Sequence, residues 1–207
     1  MTPAVGPVLA GFGVGLALAG SPGPVQAILL VESVRGGAGR GFKAQAGANL
    51  TFAVLLVALA LGLTAVAPGL ALLRILKIAG GAFLIWLAVD GFRSRNEAAI
   101  DPAGQRRLPP AARGLLAVVL NPGTYLFLAT AATSVLSSAS SKGGRTAAVF
   151  AALALVVGVA IGDGATVLLG GLGVRRAGQR VMMWVRTGLA LVLGVLGALL
   201  IVSGVPG

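Results

Sequence analysis

Charged positions cluster in a few short intervals, and between them the chain is almost continuously apolar. Six apolar runs stand out: Val5–Val31, Gln45–Val66, Leu70–Phe92, Gly114–Leu136, Thr146–Gly170 and Arg186–Val205. A helix crossing a hydrocarbon core needs about 20 such residues. None of the runs alternates over about ten residues as a barrel strand would. The pattern predicts an all-α integral membrane protein with six transmembrane helices, forming a single transmembrane domain over residues 1–207.

Two runs contain prolines in their interior. Ser21-Pro22-Gly23-Pro24 lies in the first run, which has no charge from Val5 to Val31, and Asn121-Pro122-Gly123 lies in the fourth. An interior proline removes a backbone donor and clashes with the preceding turn, so the first and fourth helices are predicted to break there. Ser and Asn are favoured N-caps and Pro is favoured at the first helical position, so each break also reads as the start of a half-helix. Counted from the run ends at 1.5 Å per residue, both breaks lie roughly 12–14 Å deep, near the bilayer midplane. Free backbone groups at that depth must be buried in protein or line a watery cavity. Secondary transporters build binding sites this way.

The second break follows the first by 100 residues, and Gly39-Arg40 and Gly144-Arg145 each lead into the next run. This order divides the chain into two three-helix halves, about 1–92 and 114–207, joined by a linker at 93–113. Three is odd, so the second half enters the membrane in the opposite sense, giving an inverted repeat. The linker is polar, carries Pro102, Pro109 and Pro110, and reads as a solvated connection. Small residues four apart, namely Gly11 with Gly15, Gly158 with Gly162, and Ala190 with Gly194 and Ala198, predict close helix contacts. Such faces also permit a homodimer.

Composition sharpens this picture. The chain is 57% hydrophobic and 10% charged, against about 25% charged residues in soluble domains, and its mean hydropathy is +0.99. A net charge of +11 raises nucleic acid as a partner. The basic residues, however, sit in short connections where they act as topology signals. The first, third and fifth connections, including the start of the last run, hold 12 of the 16 Lys and Arg residues. That bias puts these connections in the cytoplasm and both termini outside, with the first run retained as a span rather than cleaved as a signal peptide. The expected partners are the lipid bilayer and a small-molecule substrate, with no nucleic acid. The chain has no Cys and no His. That excludes thiol chemistry and removes the usual general base and the commonest metal ligand. No nucleophile–base motif is visible, so no enzyme, metal, cofactor or catalytic residue is expected.

The candidate chemistry is therefore sparse. Helix N-termini offer free N–H groups and about half a positive charge. Two of them meeting at the midplane predict a site for an anion such as a carboxylate, built from Ser21, Pro22, Gly23, Pro24, Asn121, Pro122 and Gly123. The competing reading is a pair of proline kinks used for packing. Asp163, in Gly162-Asp163-Gly164, is the only acid well inside a run. A mid-span Asp costs about 2.5–3.5 kcal/mol on insertion scales and is a functional hypothesis by default. It reads as a counter-ion for a substrate amine, as a proton carrier, or as a structural partner for Lys77 or a free backbone N–H. Lys77 is near enough to the outer face to snorkel. Gln26, one turn after Pro22, and Asn49 either line the same cavity or bridge helices. Glu32 and Asp90, at run ends, read as solvated.

At these residues the chain resembles the LysE/RhtB family of amino-acid exporters. Ser21-Pro22-Gly23-Pro24 is similar to that family's most characteristic motif, and Gly36, Gly37, Arg40-Gly41-Phe42 and Gly47 resemble the glycine-bearing loop after it. Leu76 to Leu84 is similar to the third-span signature, and Leu120-Asn121-Pro122-Gly123 with Leu126-Phe127 to the fourth-span motif. At Gly123 the family usually carries Lys. The resemblance covers essentially the whole chain and implies a small inner-membrane protein that exports amino acids or related metabolites on the proton gradient. The alternatives are an exporter of another small solute or cation, for which one acid and no His offer few ligands, and a non-transporting membrane scaffold.

Overall fold

The computed structural model describes residues 5–62, 69–93, 108–176 and 179–205, and every regular element among them is helical. Helices α1 (Val5–Gly20), α2 (Pro24–Ala60) and α3 (Leu70–Arg93) precede the linker. After it come α4 (Pro110–Val119), α5 (Pro122–Phe127), a π-helical turn (Leu128–Ala132), α6 (Thr133–Arg176) and α7 (Gln179–Gly204). Four helical stretches are long and apolar enough to cross a membrane: Pro24–Ala60, Leu70–Asp90, Pro122–Gly173 and Met183–Gly204. The first and third have 37 and 52 residues, well beyond the about 20 that one crossing takes.

Both long stretches are interrupted by a pair of glycines. Gly36 has φ −145° and ψ 23° and Gly37 has φ 75° and ψ 178°. Gly143 and Gly144 repeat this with φ −152°, ψ 21° and φ 66°, ψ −165°. The second residue of each pair occupies a region essentially closed to residues with a β-carbon. The intervals at 32–44 and 137–145, expected as connections of loop length, are thus helical up to a two-residue glycine turn. The corresponding positions are Gly36-Gly37 and Gly143-Gly144, rather than Gly39-Arg40 and Gly144-Arg145. Gly36 follows Ser21 by 15 residues and Gly143 follows Asn121 by 22, so the later segment is longer by about two turns.

The predicted breaks occur at both proline motifs. α1 stops at Gly20 and α2 starts at Pro24. Its N-cap is Gly23, extended at φ −166° and ψ −179°, and no side chain caps it. The expected Ser21 cap is therefore displaced by two residues, because Pro24 supplies the donor-free first position and the Ser21 N–H instead donates to Leu18 O at 3.0 Å. The later break matches expectation: Asn121 is the N-cap, its Oδ1 accepts from the Gly123 N–H at 3.0 Å, and Pro122 follows at the first position.

Small residues set the packing. α1 packs on α6, α2 on α6 and α4, and α3 on α7. A β-carbon added at Gly11 or Gly15 would overlap the carbonyl of Ala151 or Leu155, and one at Gly158 that of Phe12. Gly47 and Gly114 seat α2 against α4 in the same way, on Ala111 and Ala44. On α7 the close approach falls on Gly197, facing Gly81, and not on the Ala190–Gly194–Ala198 row, of which Ala190 is buried and Gly194 only touches Ala88 at ordinary distance. Close backbone approach through such residues is how helices associate where no water drives them together. Outward faces are apolar, with Leu50, Leu169 and Val202 each at least 70% exposed.

One end of the bundle holds a buried ion network, which corrects the reading of Glu32 and Asp90 as solvated. Glu32 is fully buried and accepts from Arg113 Nη1 at 3.0 Å and from Arg40 Nε. Arg35 donates to Asp90 at 2.7 Å, and Arg113 Nη2 lies 3.0 Å from the same carboxylate. The Arg113 guanidinium also sits 5.4 Å from the Trp86 ring centroid. Arg113, expected in the solvated linker, is instead in α4 with no exposed surface. A charge is tolerated there because each partner is met by opposite charge and hydrogen bonds. Residues 94–107 of the linker, with Pro102, lie outside the described residues.

Candidate functional site

The two helix breaks meet at one cavity of about 270 Å³. Ser21, Pro22, Gly23 and Pro24 form one wall, and Gln26 adds its side chain from the first turn of α2. Asn121 and Gly123 contribute from the other break. Asn49, from α2 beyond its glycine turn, and Asp163, from α6 beyond its own, add to the polar lining. Of the ten candidate residues, only Pro122 is not in the lining; it is buried at the start of α5. The volume of about 270 Å³ is just below the range of about 300–1,000 Å³ for ligand pockets. That suits a metabolite-sized solute.

Local chemistry explains how the walls hold their shape. A helix leaves its first N–H groups without intrahelical partners, and at both breaks a proline removes one of these donors from the account. Asn121 satisfies the Gly123 N–H, while Tyr125 Oη donates to Val119 O at 2.9 Å and ties α5 to the end of α4. Further along, Thr130 and Thr133 donate to Leu126 O and Leu128 O, both at 2.7 Å. Such back-bonding hydroxyls perturb the helical ladder, here beside the π turn. Phe52 and Phe127 pack with centroids 5.9 Å apart, and Phe52 forms part of the cavity wall.

Asp163 is 1% exposed. Gln26 Nε2 donates to its Oδ1 at 2.7 Å, and the Asn49 side chain also engages the carboxyl. Its Oδ2 has no hydrogen-bond partner among the described residues, and neither has Gln26 Oε1. Lys77 is not its partner, since that ammonium donates to Ser203 O at 3.0 Å on the exposed surface, as a snorkelling lysine would. Of the flanking glycines, Gly162 packs against Ala19, while Gly164 has only ordinary contacts with Gln45 and Phe42. A buried carboxyl with one unpartnered oxygen can take a proton or an N–H donor from a ligand.

The lining includes residues that were not anticipated, among them Thr124, in the first turn after Pro122, and Phe52, which follows Asn49 by three residues, so helical spacing from the candidate residues could have found both. Among the described residues no group of three metal-ligating side chains comes together. A family model, LysE type translocator, matches residues 16–204. No curated protein and no solved structure matches the chain.

Proposed function

The chain belongs to the LysE type translocators, and on that premise we propose that it exports amino acids or related small metabolites across the cytoplasmic membrane, coupled to proton entry. It is a multi-pass membrane protein and a transporter rather than an enzyme. In this reading each glycine turn separates two crossings, so α2 and α6 contribute to two spans apiece and the membrane is crossed six times. The matched breaks and matched glycine torsions support two halves in inverted orientation. The arginine-rich end is cytoplasmic by the positive-inside rule, with both termini outside.

The observation that carries the proposal is the meeting of both helix breaks with Asp163 at one cavity. Half-helix N-termini from the two breaks hold the substrate carboxylate, and Asp163 meets the amine or carries the coupling proton. The halves rock about this site to expose it to each side in turn. The test is efflux from cells loaded with a dipeptide panel, compared with an empty-vector control. Faster release of one amino acid supports export and names the cargo. No excess release of any would overturn the proposal and favour another solute or a scaffold.

A further inference from the structure

Five acidic residues occur in the whole chain: Glu32, Asp90, Glu97, Asp101 and Asp163. Glu32 and Asp90 are held by arginines at the far end of the bundle, and Glu97 and Asp101 belong to the linker. His and Cys are absent. One carboxyl is therefore left to serve both the proton and a cationic group of the cargo, and it lies in the cavity. The surroundings agree from every packed element. α1 carries no charged residue. α2 presents the amides of Gln26 and Asn49 to the cavity, and Gln45, whose Nε2 donates to Ala160 O at 2.7 Å, lies beside Gly164. Its Glu32, Arg35 and Arg40 are in the ion network, and Lys43 is exposed. From α4 and α5, Arg113 is in that same network and the Tyr125 hydroxyl is given to Val119 O. On α6, Lys142 and Arg145 are exposed at the opposite end, and Arg175 and Arg176 close the helix 12 and 13 residues after Asp163. Among the described residues no Lys, Arg or Glu lines the cavity.

We infer, building on the proposed export function, that Asp163 holds a proton and the cargo ammonium alternately and never together, so that one proton enters for each molecule exported. On the cytoplasmic side the carboxylic acid releases its proton to the cytoplasm, and the carboxylate accepts the ammonium on its unpartnered Oδ2. On the outer side the ammonium leaves and the same oxygen takes up a proton. An empty, ionised carboxylate in the closed cavity is the costly state, so the empty carrier returns only when protonated. That penalty is what couples the two flows. Gln26 acts as a positioning residue, fixing Oδ1 so that Oδ2 faces the ligand.

The test uses the full chain in phosphatidylethanolamine–phosphatidylglycerol vesicles, with a labelled mixture of the protein amino acids and a proton-sensitive dye inside. The expected result is one proton moved per amino acid and an apparent KM that rises tenfold for each pH unit on the acid limb. Hydroxy-acid analogues, in which a hydroxyl replaces the amine, should not compete. Asp163→Asn should abolish both flows, while Asp163→Glu should restore coupled exchange with a displaced pH profile. Amino-acid flux whose KM ignores pH, or whose Asp163→Asn variant still moves protons, would overturn the inference while leaving export intact. Absence of flux for every amino acid would remove the export reading and this inference with it. Should Asp163→Asn fail to reach the membrane, the wild-type pH profile and Asp163→Glu decide.

Discussion

Glu32 and Asp163 are equally withdrawn from solvent, at 0% and 1% exposure, yet their surroundings differ. Glu32 is met by Arg113 and Arg40, with Arg35 at 3.9 Å, so its charge is neutralised and both oxygens are engaged. Among the described residues Asp163 has only neutral amides beside it, and its Oδ2 is buried without a partner in the cavity wall. Burial alone thus does not mark a working carboxylate. What marks it is burial with the electrostatics left incomplete, which a ligand or a proton must finish.

The sharpest way to break the comparison is to spoil the complete site. Arg113→Ala would leave Glu32 without its fully buried partner, and breaking a buried pair costs about 3–5 kcal/mol. We expect a large fall in the unfolding temperature in detergent; an unchanged midpoint would mean the network contributes no stability. Asp163→Asn inverts the pattern. Transport should fall about a hundredfold or more, the scale on which a single essential charge acts, while the unfolding midpoint stays near wild type. Equal loss in both measurements would make Asp163 structural, like Glu32.

Smaller effects test the frame that holds the two sites apart. Gly144→Ala forces a β-carbon into an extended positive-φ conformation, costing about 1–3 kcal/mol, and a thermal shift of that size should be measurable. At the low end, Lys77→Ala removes only a surface contact and should change stability by less than about 0.5 kcal/mol. A larger shift would show that Lys77 anchors α7 through Ser203.

Much of the cavity could be read in the chain, because polar residues are conspicuous in an apolar run. Prolines punctuate helices, so Pro22, Pro24 and Pro122 announced the breaks, and Gln26, Asn49 and Asp163 were the polar residues left beside them. The Ser21 cap was misplaced because two prolines two residues apart offer two starting points for one helix. Glu32 and Arg113 were misread for a deeper reason: a charge next to an apolar run looks like an interface residue, and their pairing across 81 positions exists only in the tertiary structure. Gly36 and Gly37 were read as part of a glycine-bearing loop, and the matching pair Gly143-Gly144 was not singled out, because a helix reversal ordinarily needs a longer polar segment, whereas two glycines can supply the torsions alone.

Those turns also bear on how the protein is made. In the topology proposed above, with the arginine-rich end in the cytoplasm, the Gly143-Gly144 turn crosses to the far side during biosynthesis, and the charges beside it in the sequence are Lys142 and Arg145. The stretches on either side can therefore enter the bilayer together as one hairpin, with almost no hydrophilic chain to haul through the translocon. A reporter domain inserted between Gly143 and Gly144 would add that burden and should lower the yield of membrane-inserted protein.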